Sequence, residues 1–212
     1  MATTDDTIRE HIEHEQVKQC CARLYESDFA RFLLGESFHP GGLKLTGQMG
    51  RMIGLNPASR VLDVACGKGT TAVFLAKEFG CGVVGIDYGE QNVAAARSLA
   101  QAEHLDARVR FDRSDAETLL LSDHSFDAVV CECAFCTFPD KAAAAMEFFR
   151  VLRPGGRVGL SELTRAVVLP KTWTDCWGGS RASAMHRPLN NTQPTFKTRD
   201  SLWTTSSSAT TL

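Results

Sequence analysis

The 212-residue sequence has little of three features that mark large classes of proteins: a charge excess of one sign, long apolar runs, and a basic start followed by an apolar stretch. The formal net charge is -2, so no basic surface for nucleic acid is expected. No apolar run approaches the roughly 18 residues of a membrane span. The start, Met-Ala-Thr-Thr-Asp-Asp, is polar and acidic, unlike a secretory signal. We therefore predict a cytoplasmic protein that binds neither membranes nor nucleic acid.

The chain has no need of disulfide bonds, because a domain of this length buries roughly 70% of the surface that its unfolded chain exposes. It nevertheless holds eight cysteines. In a reducing compartment these are expected to be buried thiols, ligands or reactive groups.

Internal repeats are also absent, and the middle of the chain alternates short apolar runs with helical patterns, which predicts βαβ units and a mostly parallel sheet. The predicted strands are Arg60–Ala65, Gly82–Asp87, Arg108–Asp112, Phe126–Cys131 and Arg157–Ser161. The predicted helices between them are Thr70–Phe79, Gln91–His104 and Lys141–Leu152. Helical spacing in the first 35 residues, a short helix from about Asp28 to Leu34 and a helix near Leu43 to Ile53 make a helical lead-in.

The last 42 residues contain no Val and no Ile, but 15 Ser or Thr and all three Trp. Such a composition predicts either a natural disordered tail or out-of-frame translation after about Leu169. We expect three regions: residues 1–56 as lead-in and lid, 57–169 as a Rossmann-like domain, and 170–212 as an atypical, disordered tail. The sheet would then stop at five strands.

A glycine loop follows the first predicted strand. Gly67 and Gly69 allow close approach of a ligand, and the helix that starts after them favours an anionic group. Dinucleotide folds use the same device, so the loop alone is weak evidence. Asp63, inside the strand, discriminates: a carboxylate there repels a pyrophosphate and attracts an ammonium group, such as the amino-acid end of S-adenosylmethionine.

Two further acids follow the next two strands. Asp87 ends the second strand, where a carboxylate can accept both hydroxyls of a ribose, and Tyr88 follows it. Asp115 and Ala116 follow the third strand and suit an adenine amino group. Because ligands of open α/β sheets bind beyond the carboxyl ends of the strands, these residues are predicted to share one site.

The sequence resembles the class I S-adenosylmethionine-dependent methyltransferases. The resemblance rests on Leu62 to Gly69, Gly85-Ile86-Asp87, Asp115-Ala116, Phe126 to Val129 and Val151 to Arg157. It implies a Rossmann-like sheet with Asp63, Gly67 and Gly69 around the methionine part of the cofactor, Asp87 at the ribose, Asp115 and Ala116 at the adenine, and Glu132 along the cofactor wall. The family closes its sheet with two more strands, one of them antiparallel beside the fifth. This chain departs there, which predicts a sheet lacking its last two strands.

Three thiols lie close together after the fourth strand: Cys131, Cys133 and Cys136. They can fill the core, since Cys is among the most buried residue types. They can bind zinc with a fourth ligand such as Cys20, although the spacing lacks paired knuckles. They can also bind a soft substrate such as arsenic(III).

Within the superfamily, the chain most resembles the arsenite and the ubiquinone or menaquinone methyltransferases. Glu132 to Phe135 and Phe138 to Lys141 resemble the stretch that holds one arsenic-binding cysteine, which implies Cys133. Cys20 and Cys21 resemble the amino-terminal cysteine region of those enzymes, and Cys176 superficially resembles another. We therefore predict Cys133, Cys136, Cys20 and Cys21 as substrate-binding catalytic residues, with no resident metal.

Two alternatives remain open. One is a methyltransferase for a small organic acceptor such as a quinone precursor, polarised by Glu132 or His39. The other is a non-catalytic remnant that is damaged at its carboxyl end.

Overall fold

The computed structural model describes residues 4–26, 41–162 and 204–205, with side chains of the first range described for residues 12–23. The helices are α1 (Thr4–Glu26), α2 (Gly42–Met52), α3 (Thr70–Phe79), α4 (Glu90–Ala102) and α5 (Lys141–Val151). The strands are β1 (Arg60–Val64), β2 (Gly82–Asp87), β3 (Val109–Arg113), β4 (Phe126–Glu132), β5 (Leu152–Ser161) and β6 (Thr204–Thr205), and a 3₁₀ turn covers Phe135–Thr137. The predicted strands and helices of the Rossmann-like region are confirmed, with their ends shifted. The helix predicted from Asp28 to Leu34 lies outside the described residues.

The strands form one parallel sheet in the order β3-β2-β1-β4-β5-β6. β1 is central, with Val61 aligned with Val83 of β2 on one side and with Ala128 of β4 on the other. The chain therefore builds outward from β1 to β3 and then returns to the far side of β1. The crevice at this reversal is where open α/β sheets bind ligands.

β5 begins five residues earlier than predicted. Pro154, Gly155 and Gly156 follow the end of α5, and the structure includes them in the strand. Gly155 has φ +80, and the register with β4 shifts between Phe126 and Ala128. A bulge thus absorbs the glycines that lie between the predicted helix Lys141–Leu152 and the predicted strand Arg157–Ser161.

The predicted parallel sheet of five strands is confirmed, and the described residues add a two-residue strand at its edge. Thr204–Thr205 pairs with Gly159 and Leu160 of β5, parallel to it. Threonine fits a pleated edge, and the pairing covers backbone groups that β5 would otherwise expose. The rest of the predicted tail lies outside the described residues, and so does Cys176.

Helices cover both faces of the sheet, and each face has its own core. On one face, buried side chains of α2, α3 and α4 pack against Val61, Val83, Phe111 and Val130. On the other, α5 packs through Phe148 against Leu62, Ile86 and Val129. Alternate residues of β1 thus serve opposite cores, which fixes the register of the central strand.

None of the helices that the structure describes is long and apolar enough to cross a bilayer.

Candidate cofactor and substrate site

A cavity of about 120 Å³ lies at the carboxyl ends of β1, β2, β3 and β4. The lining residues come from α1, from the last positions of β2 and β4, from the loops after the four strands and from the start of α4: Lys18, Cys21, Ala22, Ala65, Gly67, Ile86, Asp87, Tyr88, Asn92, Ser114, Asp115, Ala116, Glu117, Glu132, Cys133, Ala134, Thr137, Phe138 and Pro139. The crevice anticipated from strand order is therefore a real cavity.

The glycine loop curls under this cavity through left-handed backbone. Ala65, Gly67 and Gly69 have φ of 56, 54 and 83. Ala65 and Gly67 line the cavity, whereas Gly69 does not. A Cβ on Gly69 would lie 2.6 Å from the Phe111 ring and 2.8 Å from Ala96. Gly67 thus brings backbone to the cavity wall, while Gly69 is required by the packing of the loop on the core.

Asp63 is buried in the middle of the sheet, 2% exposed. The Ala72 N–H donates to its carboxylate, but Oδ2 has no hydrogen-bond partner. Burial, and then the nearby Glu132 and Asp87 carboxylates, raise the pKa of Asp63 well above its usual value. A buried acceptor with two acidic neighbours is costly unless a cation comes to it.

Asp87 ends β2 and organises the loops around it. Its Oδ2 accepts from the Gly67 N–H at 2.8 Å, and its Oδ1 accepts from the Gly89 N–H at 2.8 Å and from the Asn92 side chain at 3.2 Å. The carboxylate therefore ties the glycine loop to the start of α4 and lines the cavity next to Tyr88.

Asp115 lies at the far end of the cavity, where the resemblance implies the adenine. Its Oδ1 accepts from the Glu117 N–H at 2.9 Å, and its Oδ2 accepts from Lys18 of α1 at 2.7 Å. Lys18 also pairs with Glu117 at 2.5 Å. Nearby, the Tyr88 hydroxyl donates to Glu15 of α1. α1 thus closes over this end of the cavity through polar contacts.

Glu132 lies at the opposite end, at the last position of β4. Its carboxylate accepts hydrogen bonds from the Thr71 hydroxyl of α3 at 2.8 Å and from the Thr46 hydroxyl of α2 at 3.0 and 3.3 Å. One carboxylate therefore joins three elements at the edge of the cavity.

The predicted thiol cluster divides between core and cavity. β4 ends at Glu132, and Cys133 adopts left-handed backbone with φ 54, its N–H donating to Ser161 O at 2.7 Å. Cys131 points into the core beneath α5, whereas Cys133 lines the cavity, so the two thiols do not share a face.

The other thiols also separate. Burial and the adjacent Glu162 raise the pKa of Cys136 to about 12, and Cys136 is not a lining residue. Cys21 of α1 lines the cavity, but Cys20 is exposed. Among the described residues, no three His, Cys, Asp or Glu side chains gather in a group that could hold a metal ion.

Sequence reasoning missed Lys18, Thr46, Thr71, Asn92 and Glu117. Asn92 and Thr71 had a usable signal, since each lies in the first turn of a helix that follows a predicted loop. Lys18 and Thr46 are distant in sequence from their partners, and only the packing of α1 and α2 brings them in. His39 lies outside the described residues.

Residues 61–156 match a family model described as a methyltransferase domain. The chain is 40% identical over 119 residues to an uncharacterized protein of Haemophilus influenzae, covering 55% of this chain and 47% of that one. It is 32% identical over 169 residues to phosphoethanolamine N-methyltransferase 1 of Arabidopsis thaliana, covering 79% and 32%. A solved structure, Haemonchus contortus phosphoethanolamine N-methyltransferase 2 in complex with S-adenosyl-L-methionine, is 25% identical with a TM-score of 0.66, covering 75% and 37%.

The fold is that of a class I methyltransferase. The chain spans less than half the length of each of the three proteins named above.

The methyltransferase domain implies S-adenosylmethionine as cofactor, and the residues present fit it. The cofactor carries an ammonium and a sulfonium. The Asp87 and Glu132 carboxylates line the cavity, and the buried Asp63, which is not itself a lining residue, lies close enough to both for their charges to raise its pKa. The glycine loop supplies close backbone at Gly67. A pyrophosphate, by contrast, would meet these acids and be repelled.

Proposed function

We propose that this chain binds S-adenosylmethionine in the cavity and catalyses methyl transfer to a small molecule. The observation that carries the proposal is the buried Asp63 carboxylate, whose Oδ2 has no hydrogen-bond partner and whose neighbours are acidic. A cationic ligand would give this oxygen a partner and would offset the repulsion among the three carboxylates.

In this proposal, different residues contact different parts of the cofactor. Asp63 and Glu132 receive the ammonium end, and Gly67 lets it approach the backbone. Asp87 and Tyr88 lie at the ribose, and Asp115 with Ala116 at the adenine.

Bound S-adenosylmethionine supplies an electrophilic methyl group on a sulfonium. The protein contributes position and exclusion of water, since an in-line displacement needs the two reacting atoms close and aligned more than it needs covalent catalysis. No histidine is among the residues that line the cavity in the described part of the chain. An acceptor that is already nucleophilic fits such a site.

A small organic acceptor is supported by the cavity wall beyond Cys133, which is largely apolar: Ala134, Phe138 and Pro139. It is also supported by the two relatives that are named as phosphoethanolamine methyltransferases. Glu132, two positions before Ala134, lines the same cavity. Quinone precursors and amines are the acceptor classes to test first.

Thiol-bound arsenite is the second candidate, and one observation favours it: Cys21 and Cys133 line the same cavity. Two thiols can hold arsenic(III), whose lone pair is itself the nucleophile, so no general base is required. Cys131 and Cys136 contribute less to this candidate than the sequence implied, because neither lines the cavity and burial raises the pKa of both.

The test has two stages. Calorimetry measures S-adenosylmethionine binding to the full chain; absence of binding by the folded protein would overturn the proposal. Methyl-labelled cofactor is then supplied with amines, with quinone precursors, or with arsenite and a thiol. Methylated arsenic that disappears in Cys133→Ser but persists in Cys136→Ser selects arsenite, and methylated organic product that is insensitive to Cys133→Ser selects an organic acceptor. A chain that binds the cofactor but methylates none of these acceptors contradicts the transferase activity.

A further inference from the structure

The Glu132 carboxylate is held by two threonine hydroxyls that the glycine-loop motif does not include. Thr71 belongs to α3, directly after the glycine loop, but Thr46 belongs to α2, in the helical lead-in. Thr46 is 0% exposed, and its hydroxyl donates to both carboxylate oxygens, at 3.0 and 3.3 Å. A fully buried threonine donating to a carboxylate across 86 positions of sequence is a specific tertiary contact.

Small residues let α2 approach closely enough for this contact. Gly47 and Gly50 lie on the same buried side of α2 as Thr46. A Cβ on Gly50 would lie 2.5 Å from the Phe79 ring of α3, and a Cβ on Gly159 of β5 would lie 2.8 Å from Met49. The packing of α2 against α3 and β5 therefore brings the Thr46 hydroxyl to Glu132.

The Thr46 and Thr71 hydroxyls hold the Glu132 carboxylate against electrostatic repulsion by a neighbouring acid. Glu132 lies close enough to Asp63 for its charge to raise the pKa of that acid. Two carboxylates that repel each other turn apart unless donors hold them. Thr46 and Thr71 supply those donors from two sides, and they fix the carboxylate that lines the cavity.

We propose that Thr46 is a positioning residue for the cofactor: it holds the Glu132 carboxylate beside Asp63, so that both acids receive the ammonium group of the methionine part. This inference rests on the proposed binding of S-adenosylmethionine. It makes α2 a part of the methionine-end site, and it limits the effect of Thr46 to ligands that carry the amino-acid group.

The test compares three ligands by calorimetry: S-adenosylmethionine, S-adenosylhomocysteine and methylthioadenosine, which lacks the amino-acid group. Thr46→Val keeps the shape and removes the donor, and Thr46→Ser keeps the donor. We expect Thr46→Val to weaken the first two ligands about tenfold, the usual cost of losing a hydrogen bond to a charged group. Methylthioadenosine should bind with unchanged affinity, and Thr46→Ser should bind all three like the parent.

The outcomes separate the inference from the function on which it rests. Equal weakening of all three ligands would assign Thr46 a general packing role and overturn the inference, as would an unchanged affinity in Thr46→Val. If the parent protein binds none of the ligands, the proposed function itself fails. Should Thr46→Val not fold, as judged by circular dichroism, Thr71→Val removes the other donor to Glu132, and the same selective loss is expected.

Discussion

At the scale of single residues, the burial of Asp63 opposes stability and favours binding. A carboxylate that is shut away from water with one oxygen unpaired costs folding free energy, because water would otherwise solvate both oxygens. The neighbouring Glu132 and Asp87 increase that cost. Such a residue persists in a fold where a ligand repays the cost, which is why Asp63 is the strongest single indication of a cationic ligand.

Asp63→Asn should therefore separate binding from stability. We expect S-adenosylmethionine affinity to fall about tenfold or more, since a charged hydrogen bond is lost. The pKa of Asp63 is raised in the folded chain, so its contribution to stability is present below the ordinary carboxyl range and lost as pH rises. An asparagine side chain does not titrate, so the Asp63→Asn variant does not lose this stability as the pH rises. Urea unfolding should accordingly show the parent losing stability relative to Asp63→Asn as the pH rises above about 4, the ordinary carboxyl range.

Asp112→Asn is the matched control, because this acid on β3 has a half-exposed side chain and lies outside the cavity. It should leave cofactor affinity unchanged. A parent and an Asp63→Asn variant with identical pH profiles would contradict the account of Asp63.

At the scale of elements, α2 and α1 both close the cavity, but by different means. α2 packs through small and apolar residues on its buried side, including Gly47, Met49 and Gly50. α1 approaches through Glu15, Lys18 and Cys21, while Ile12 is 51% and Val17 37% exposed. The contact of α2 depends on close packing, and the contact of α1 depends on charge.

Gly50→Ala tests the fit of α2. Alanine is the better helix former by about 0.5–1 kcal/mol, but its Cβ would meet the Phe79 ring at 2.5 Å. Overpacking of this kind costs about 1–3 kcal/mol, so we expect a net loss in unfolding free energy, measured by urea titration. Gly47→Ala is the control on the same face, because its Cβ would lie 3.4 Å from Phe74, an ordinary contact. Equal stability of the two variants would be evidence against close packing of α2 on α3.

Lys18→Met tests the charge contact of α1. The Lys18 ammonium occupies Asp115 and Glu117, and it adds a positive charge to a cavity proposed to bind a cation. Its removal should strengthen S-adenosylmethionine binding about threefold or more and reduce hydrogen-exchange protection of α1. Lys44→Met removes a lysine from an exposed position of α2 and should change neither. A weaker affinity in Lys18→Met would mean that Lys18 belongs to the ligand-bound cavity instead of competing with the ligand.

At the scale of the whole molecule, the sheet gathers acids from four neighbouring strands: three of them line one cavity, and the fourth, Asp63, is buried in β1. Asp63, Asp87, Asp115 and Glu132 come from β1, β2, the loop after β3, and β4. Parallel strands point their carboxyl ends to one edge, so the electrostatic character of the site is a property of the topology. That character should decide which nucleosides the chain accepts.

Thermal unfolding measures this selectivity. A ligand present at a hundred times its Kd adds about 2.7 kcal/mol to stability, which for a chain of this size is roughly 5 to 10 °C in Tm. We expect such a shift with S-adenosylmethionine and none with NAD⁺, whose pyrophosphate the acids repel. A shift with NAD⁺ alone would reverse the cofactor assignment.

The sequence by itself determined the parallel sheet and most of the cavity wall. Alternating apolar runs define β1 to β4, and parallel strands bring Asp87, Asp115 and Glu132 to one edge without any further information. Local backbone chemistry also sufficed for the glycine loop, since Gly67 and Gly69 require left-handed φ there.

Only the tertiary structure decided what closes the cavity and which thiols reach it. At the turn the Cys133 N–H donates a hydrogen bond to the Ser161 carbonyl of β5, and the turn separates Cys133 from Cys131. Lys18 and Thr46 lie 97 and 86 positions from Asp115 and Glu132, the acids that they contact. The way in which α1 and α2 pack on the sheet decides which of their side chains reach these acids. Periodicity predicts which face of a helix is apolar; it does not predict that α1 turns a charged face inward, because that orientation depends on carboxylates which only the folded sheet brings together.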